Sequence, residues 1–203
     1  MAGIEIGIDD AELERIHKAL NKYPKSAEKA IIQTKNDTAQ RTLTPLKRLI
    51  SSKYNISQKE ITGGTKYKSE ASNNLVKVIK TNNINLDAGI RIRGGYLTLY
   101  RFVKGNKKPR NKKGKGYVSV QVKKGGTKKM SRYNFIQYGK GGTPQVFQRH
   151  SNSRQISRLL KTISVAHMAS NKDIAPKVQD EAQAILQKRS QHYIDRELKK
   201  IKG

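Results

Sequence analysis

The sequence predicts an α+β fold with a helical N-terminal region, a central antiparallel sheet of four or more strands, and a long C-terminal helix. Apolar residues recur at helical spacing in the first third, alternate with polar residues in the middle, and return to helical spacing after residue 172. The 203 residues are expected to form a single domain. Within it, residues 1–70 are helical, residues 75–150 form the sheet, and residues 172–202 form the last helix.

The apolar pattern in the first third of the sequence predicts two helices. Asp10 can cap the first helix, which places Ile16 and Leu20 on one face. Pro24 is well placed to open the second helix, because its fixed φ suits the first helical turn. Pro45 lies inside the second apolar pattern and predicts a kink or a break near residue 44, because proline removes a helical hydrogen bond.

The middle of the chain predicts strands. Ser57 and Glu60 form a capping-box pair that first predicts a short helical turn. Period-two alternation of β-branched and aromatic residues then follows. The predicted strands are 75–79, 88–92, 96–103 and 117–122, with two shorter ones at 135–136 and 146–147 joined by a glycine turn. Residues 156–163 have helical spacing and predict a short helix before the final one.

Positive charge is concentrated in the predicted sheet. The net charge is +28, and residues 81–160 carry 19 basic residues against one acidic residue. No acid occurs between residues 88 and 172. Loops that only need solvation usually mix both signs of charge, so this pattern favours contact with nucleic-acid phosphates. Two lysine-rich turns that are simply solvated remain the alternative.

Two clusters supply the candidate DNA-facing or channel-facing residues. The first is a loop at 104–116 with seven cations, and the second is a lysine-rich turn at 123–129. Aromatic residues make up 6% of the chain and tryptophan is absent, which predicts phosphate contact without base reading. The candidates are Lys104, Lys107, Lys108, Arg110, Lys112, Lys113, Lys115, Lys123, Lys124, Lys128 and Lys129.

Several classes of site are excluded or unsupported. The chain has no cysteine, which excludes disulfides and thiolate chemistry. Its four histidines are far apart in the sequence, and the basic region lacks the clustered carboxylates of a metal-dependent nuclease. The glycine-rich turns lack the spacing of a phosphate-binding loop. No apolar run suits a membrane span, and no secretory signal is expected. The sequence therefore predicts no enzyme, cofactor or metal site.

Several short stretches, taken in order, carry a resemblance to a known family. They are YPKSA at 23–27, SSKYNISQKEI at 51–61, LTLYRF at 97–102, VSVQVK at 118–123, NFI at 134–136, VFQR at 146–149 and ISRLLKTISV at 156–165. A long final helix with LQKR at 186–189 and His192 follows. From about residue 10 to 200, the chain resembles the minor tail protein Z family of tailed bacteriophages and prophages. It departs from the family at Pro45 and in the lysine content of its 104–116 loop.

The resemblance implies a non-enzymatic tail-completion protein of the virion, located at the neck and assembled in the host cytoplasm. It implies a homo-oligomeric ring that joins tail to head, contacts tail-tube and tail-terminator or head-connector proteins, and surrounds the channel for genomic DNA. Neither a membrane nor a small-molecule substrate is expected. One alternative is a free, sequence-nonspecific nucleic-acid-binding protein associated with the nucleoid or ribosome. Another is a tail protein whose basic face meets an acidic protein.

Overall fold

The fold class is α+β, as predicted. A computed structural model describes residues 2–6, 10–62, 76–92, 95–105, 117–139, 142–150 and 155–202. These residues form helices near the N-terminus, three small antiparallel sheets and a long C-terminal helix. The chain divides into two compact units. The first unit is Met1–Leu49, Val76–Arg93 and Ala169–Gly203, and the second is Ile50–Leu75 and Gly94–Met168. The single domain stays a prediction.

Helices build the core of the first unit. They are α1 (Asp10–Ala19), most of α2 (Pro24–Lys53) and α5 (Ala175–Lys202), which confirms the two predicted N-terminal helices and the long final helix. One apolar stripe from each helix faces the others, as the helical periodicity requires. The shared core consists of Ile16, Leu20, Ala27, Ala30, Ile31, Leu186 and Ile194.

Helix α2 runs continuously through Pro45, so a break near residue 44 is wrong, whereas the alternative, a kink, stays a prediction. The missing proline N–H leaves the carbonyl of Arg41 without its helical partner, and Arg41 is an exposed residue. Proline inside a helix costs about 3 kcal/mol. Leu46 and Ile50 are fully buried in the following turns, and burying two such side chains contributes roughly 3–6 kcal/mol. Apolar burial of this size offsets the local cost.

The first unit also contains a three-stranded sheet, anchored to α2 by polar side chains. Asn36 accepts a hydrogen bond from the Thr81 amide and donates one to the Thr81 carbonyl, each at 2.8 Å. The buried ammonium of Lys35 donates to the carboxylate of Asp87 and to the carbonyl of Ile84, both at 2.9 Å. The sheet has the order β1-β3-β2, from β1 (Ala2–Ile6), β2 (Val76–Ile79) and β3 (Ala88–Ile92); β1 was not predicted.

The second unit contains two three-stranded sheets in place of a single large one. The first sheet has the order β4-β5-β6, from β4 (Val103–Lys104), β5 (Ser119–Val120) and β6 (Lys128–Lys129). The second has the order β7-β8-β9, from β7 (Asn134–Tyr138), β8 (Pro144–Arg149) and β9 (Ile156–Leu159). The expectation of one central sheet is therefore corrected: the described strands fall into three separate sheets along the chain.

Two elements of the second unit differ from the sequence prediction. Residues 96–103 were predicted as a strand, but Leu99–Phe102 forms a 3-10 helix whose four residues are all buried. Residues 156–163 were predicted as a helix, but β9 pairs with β8. The capping box of Ser57 and Glu60 is confirmed, and it opens α3 (Gln58–Ile61). A further short helix, α4 (Val165–Ala169), follows β9.

Candidate nucleic-acid interface

The second unit holds most of the net positive charge. Its residues include 22 basic and 2 acidic ones, a net charge of +20, whereas the first unit has a net charge of +8. The charge is thus concentrated on one folding unit that contains roughly half of the chain. Charge of one sign on this scale creates a long-range field that attracts polyanions.

The densest cationic segment lies mostly outside the described residues. The structure describes Lys104 at its start and Tyr117 just after its end, and the flanking strands β4 and β5 pair antiparallel. The role of the segment between these two strands as an exposed basic loop stays a prediction. The candidates outside the described residues are Lys107, Lys108, Arg110, Lys112, Lys113 and Lys115.

The other lysine cluster forms the hairpin of β5 and β6, residues 119–129, which we call the lysine hairpin. Its lysines are Lys123, Lys124, Lys128 and Lys129, and all four are exposed. Main-chain bonds hold its tip in place. The Lys124 amide donates to the Lys53 carbonyl at 2.9 Å, and Lys123 bridges to Tyr54. Gly125, with a φ of 89°, occupies a turn position that favours glycine.

The strand register decides which lysines share a face. Lys104 pairs with Ser119, and Ser119 pairs with Lys129, so these three side chains lie in one row on one face of the sheet. The two lysines lie two strand spacings apart, or about 10 Å. Lys128 belongs instead to the row of Val120, which is buried on the opposite face. The structure therefore brings Lys104 and Lys129 together and separates Lys128 from them.

Neither Lys104 nor any of the four lysines of the lysine hairpin forms an ion pair with an acid in the part of the chain that the structure describes. Glu60 is the one acid of the second unit within those residues, and its carboxylate is engaged elsewhere. It accepts hydrogen bonds from the Ser57 amide and hydroxyl and lies 3.9 Å from the guanidinium of Arg101. The positive field of the lysines therefore has no acidic counterpart among the described side chains.

No sequence pattern indicated the contact between Arg132 and Tyr133. Arg132 lies 5.0 Å from the centre of the Tyr133 ring and donates a 2.9 Å hydrogen bond to the Tyr133 hydroxyl. This hydrogen bond raises the pKa of the Arg132 guanidinium above its ordinary value, and Tyr117 acts more weakly in the same direction. Alternation in the strand predicted at 117–122 places Tyr117 on the face of Ser119.

Other kinds of site find no support in the described residues. Over those residues, no group of three or more histidine, aspartate or glutamate side chains is arranged to hold a metal ion. No helix in the same part of the chain combines the length and the apolar character needed to cross a membrane.

Comparison with known proteins identifies the same family that the ordered sequence motifs resemble. The sequence model of the family described as prophage minor tail protein Z (GPZ) matches residues 12–202. Comparisons with curated proteins and with solved structures found no match. The family match covers nearly the whole chain, including every described helix from α2 onward and the lysine hairpin. The chain therefore belongs to the prophage minor tail protein Z family, whose members are structural proteins of the phage tail.

Proposed function

We propose that this chain is a tail-completion protein that forms a homo-oligomeric ring at the head-proximal end of the tail. All 203 residues act as one tail-completion domain, which joins the tail to the head. The second unit faces the channel through which the genomic DNA passes. Family membership supports the location in the virion tail, and the charge distribution supports the orientation of the second unit.

One observation carries the proposal: the +20 charge of the second unit includes exposed lysines without acidic partners among the described residues. DNA that is retained after packaging and later slides out needs attraction without a fixed register. Lysine ammonium groups supply this, because they act as flexible point charges rather than planar bidentate clamps. The chain has 30 lysines and 13 arginines, which fits this requirement. Phosphate contacts also offset the repulsion among the cations themselves.

The expected partners follow from this arrangement. Identical copies form the ring, tail-tube and tail-terminator or head-connector proteins lie on either side, and DNA phosphates contact the lysines without sequence readout. The protein acts without a cofactor, metal or small-molecule substrate, and it performs no catalysis. It is made and assembled in the host cytoplasm and remains in the neck of the finished virion.

A genetic experiment tests the proposal. The six candidate cations between residues 107 and 115 are replaced with glutamine in the phage or prophage genome. Tails should still polymerise, whereas head joining or DNA retention should fail, because the contacts to phosphate are lost. Replacing Lys18, Lys22, Lys25 and Lys29, exposed lysines of the first unit, is the control and should leave particles intact.

The outcomes separate the alternatives. Normal infectivity of the variant would contradict channel lining by this loop. Absence of the protein from purified virions would favour a free nucleic-acid-binding protein. Salt-dependent binding to an acidic tail protein, with no affinity for DNA, would show that the basic face serves a protein contact instead.

A further inference from the structure

The sheet β4-β5-β6 presents an aromatic ring on the same face as two lysines. Tyr117 is 59% exposed, Val118 is buried, Ser119 is half-buried and Val120 is buried, which is the alternation of a strand with one buried face. The Met130 amide donates to the Val118 carbonyl at 2.8 Å, so strand pairing extends back toward Tyr117. The Tyr117 ring therefore lies on the outer face.

Two lysines lie on the same face as this ring. Lys104 and Lys129 flank Ser119 in the neighbouring row of the same face. Arg132 follows β6 three residues after Lys129, and its guanidinium lies 5.0 Å from the centre of the Tyr133 ring. The outer face of β4-β5-β6 thus combines an accessible aromatic surface with two positive charges.

An exposed tyrosine ring beside lysines suits an unpaired strand of nucleic acid better than a duplex. A DNA duplex offers phosphates to the lysines, but its bases are stacked within the helix and cannot cover an exposed tyrosine ring. An unpaired strand offers both, because its bases can stack on aromatic side chains while its phosphates meet cations. The two lysines lie about 10 Å apart, which allows them to contact different phosphates of one strand on either side of a stacked base.

We propose that this face binds an unpaired stretch of nucleic acid, with a base stacked on Tyr117 and with phosphates held by Lys104 and Lys129. This goes beyond the proposed function, because duplex DNA in a channel makes no use of the tyrosine ring. The shared ligand chemistry is an exposed base on a sugar–phosphate backbone, which either single-stranded DNA or single-stranded RNA can supply.

Binding of labelled oligothymidine by the full-length chain tests the inference. Tyr117→Leu should weaken binding about 5- to 150-fold, which is the loss expected for one stacked base, and should leave the salt dependence unchanged. The double variant Lys104→Gln/Lys129→Gln should instead lower the salt slope by about 1.4. Tyr138→Leu, which removes a 60% exposed tyrosine from a strand of the other sheet, is the matched control.

A fluorescent variant provides a second measurement. Tyr117→Trp keeps a ring and introduces the chain's sole tryptophan, whose emission should be quenched by oligothymidine but not by a duplex of equal length. Oligouridine in a parallel titration distinguishes RNA from DNA as the source. Unchanged affinity in Tyr117→Leu, or equal quenching by duplex and single strand, would overturn the inference. Either result leaves the infectivity test of the proposed function unaffected, because that test changes other residues.

Discussion

Neutralising the lysine hairpin should reduce the salt dependence of duplex DNA binding by a predictable amount. The variant replaces Lys123, Lys124, Lys128 and Lys129 with glutamine. Each lysine that neutralises a phosphate of duplex DNA contributes about 0.9 to the slope of log affinity against log salt. If all four contact phosphate, the slope should become shallower by about 3.6, equivalent to about 150-fold in affinity between 50 and 200 mM salt. The contacts that hold the hairpin tip are main-chain bonds, so the fold should survive.

The assay is fluorescence anisotropy of a labelled duplex over a series of salt concentrations. A matched control replaces Lys18, Lys22, Lys25 and Lys29, which are exposed lysines of the first unit. Both variants lose the same four charges, but only the hairpin variant should change the slope. Equal slopes for the two variants would show that binding depends on net charge and not on the lysine hairpin.

Two further predictions concern the stability of the first unit. Leu186→Ala should destabilise the chain by about 2–5 kcal/mol in urea unfolding, because it leaves a cavity in the core between the helices. The control is Leu86→Ala, at a side chain that is 57% exposed, which should change the free energy of unfolding by less than about 0.5 kcal/mol. Similar losses of stability in Leu186→Ala and Leu86→Ala would argue against this core. Asn36→Asp removes the amide donor to the Thr81 carbonyl and should cost about 1–3 kcal/mol. Wild-type stability in that variant would mean that the bridge between α2 and the sheet contributes nothing.

Local sequence patterns predicted the helices better than the strands. The helical stripes of α1, α2 and α5 are long enough for their periodicity to be unambiguous. Four consecutive buried residues at Leu99–Phe102 do not fit a strand with one solvent face, although the sequence alternates there. This 3-10 helix depends on contacts from several sides, including Glu60 near the buried Arg101, and no local pattern reports them.

The strand β9 shows how tertiary pairing overrides periodicity. Ile156, Leu159 and Leu160 have helical spacing, but this stretch is short, and short apolar runs do not distinguish helix from strand. In the structure, Phe147 of β8 pairs with Leu159, and the Leu160 amide donates to the Val146 carbonyl. The partner strand therefore decides the conformation, and it cannot be recognised from the segment itself.

Composition predicted part of the candidate site. The lysines of the hairpin are exposed, as its irregular, glycine-containing sequence predicts, whereas the phosphate contact inferred from the missing acids stays a prediction. The grouping of Lys104 with Lys129 required the strand register, since 25 residues separate them in the sequence. The position of Tyr117 on the face of Ser119 also required the strand pairing. The low aromatic content predicted phosphate contact without base reading, and the exposure of the Tyr117 ring became apparent only from the folded chain.

Electron microscopy of particles assembled without this protein tests whether it joins the tail to the head. The gene for the chain is deleted from an otherwise intact phage or prophage genome, and the particles are imaged after induction or lysis. A ring at the neck that joins tail to head predicts separate heads and separate tails of normal length. Joined, infectious particles of normal appearance would contradict the account.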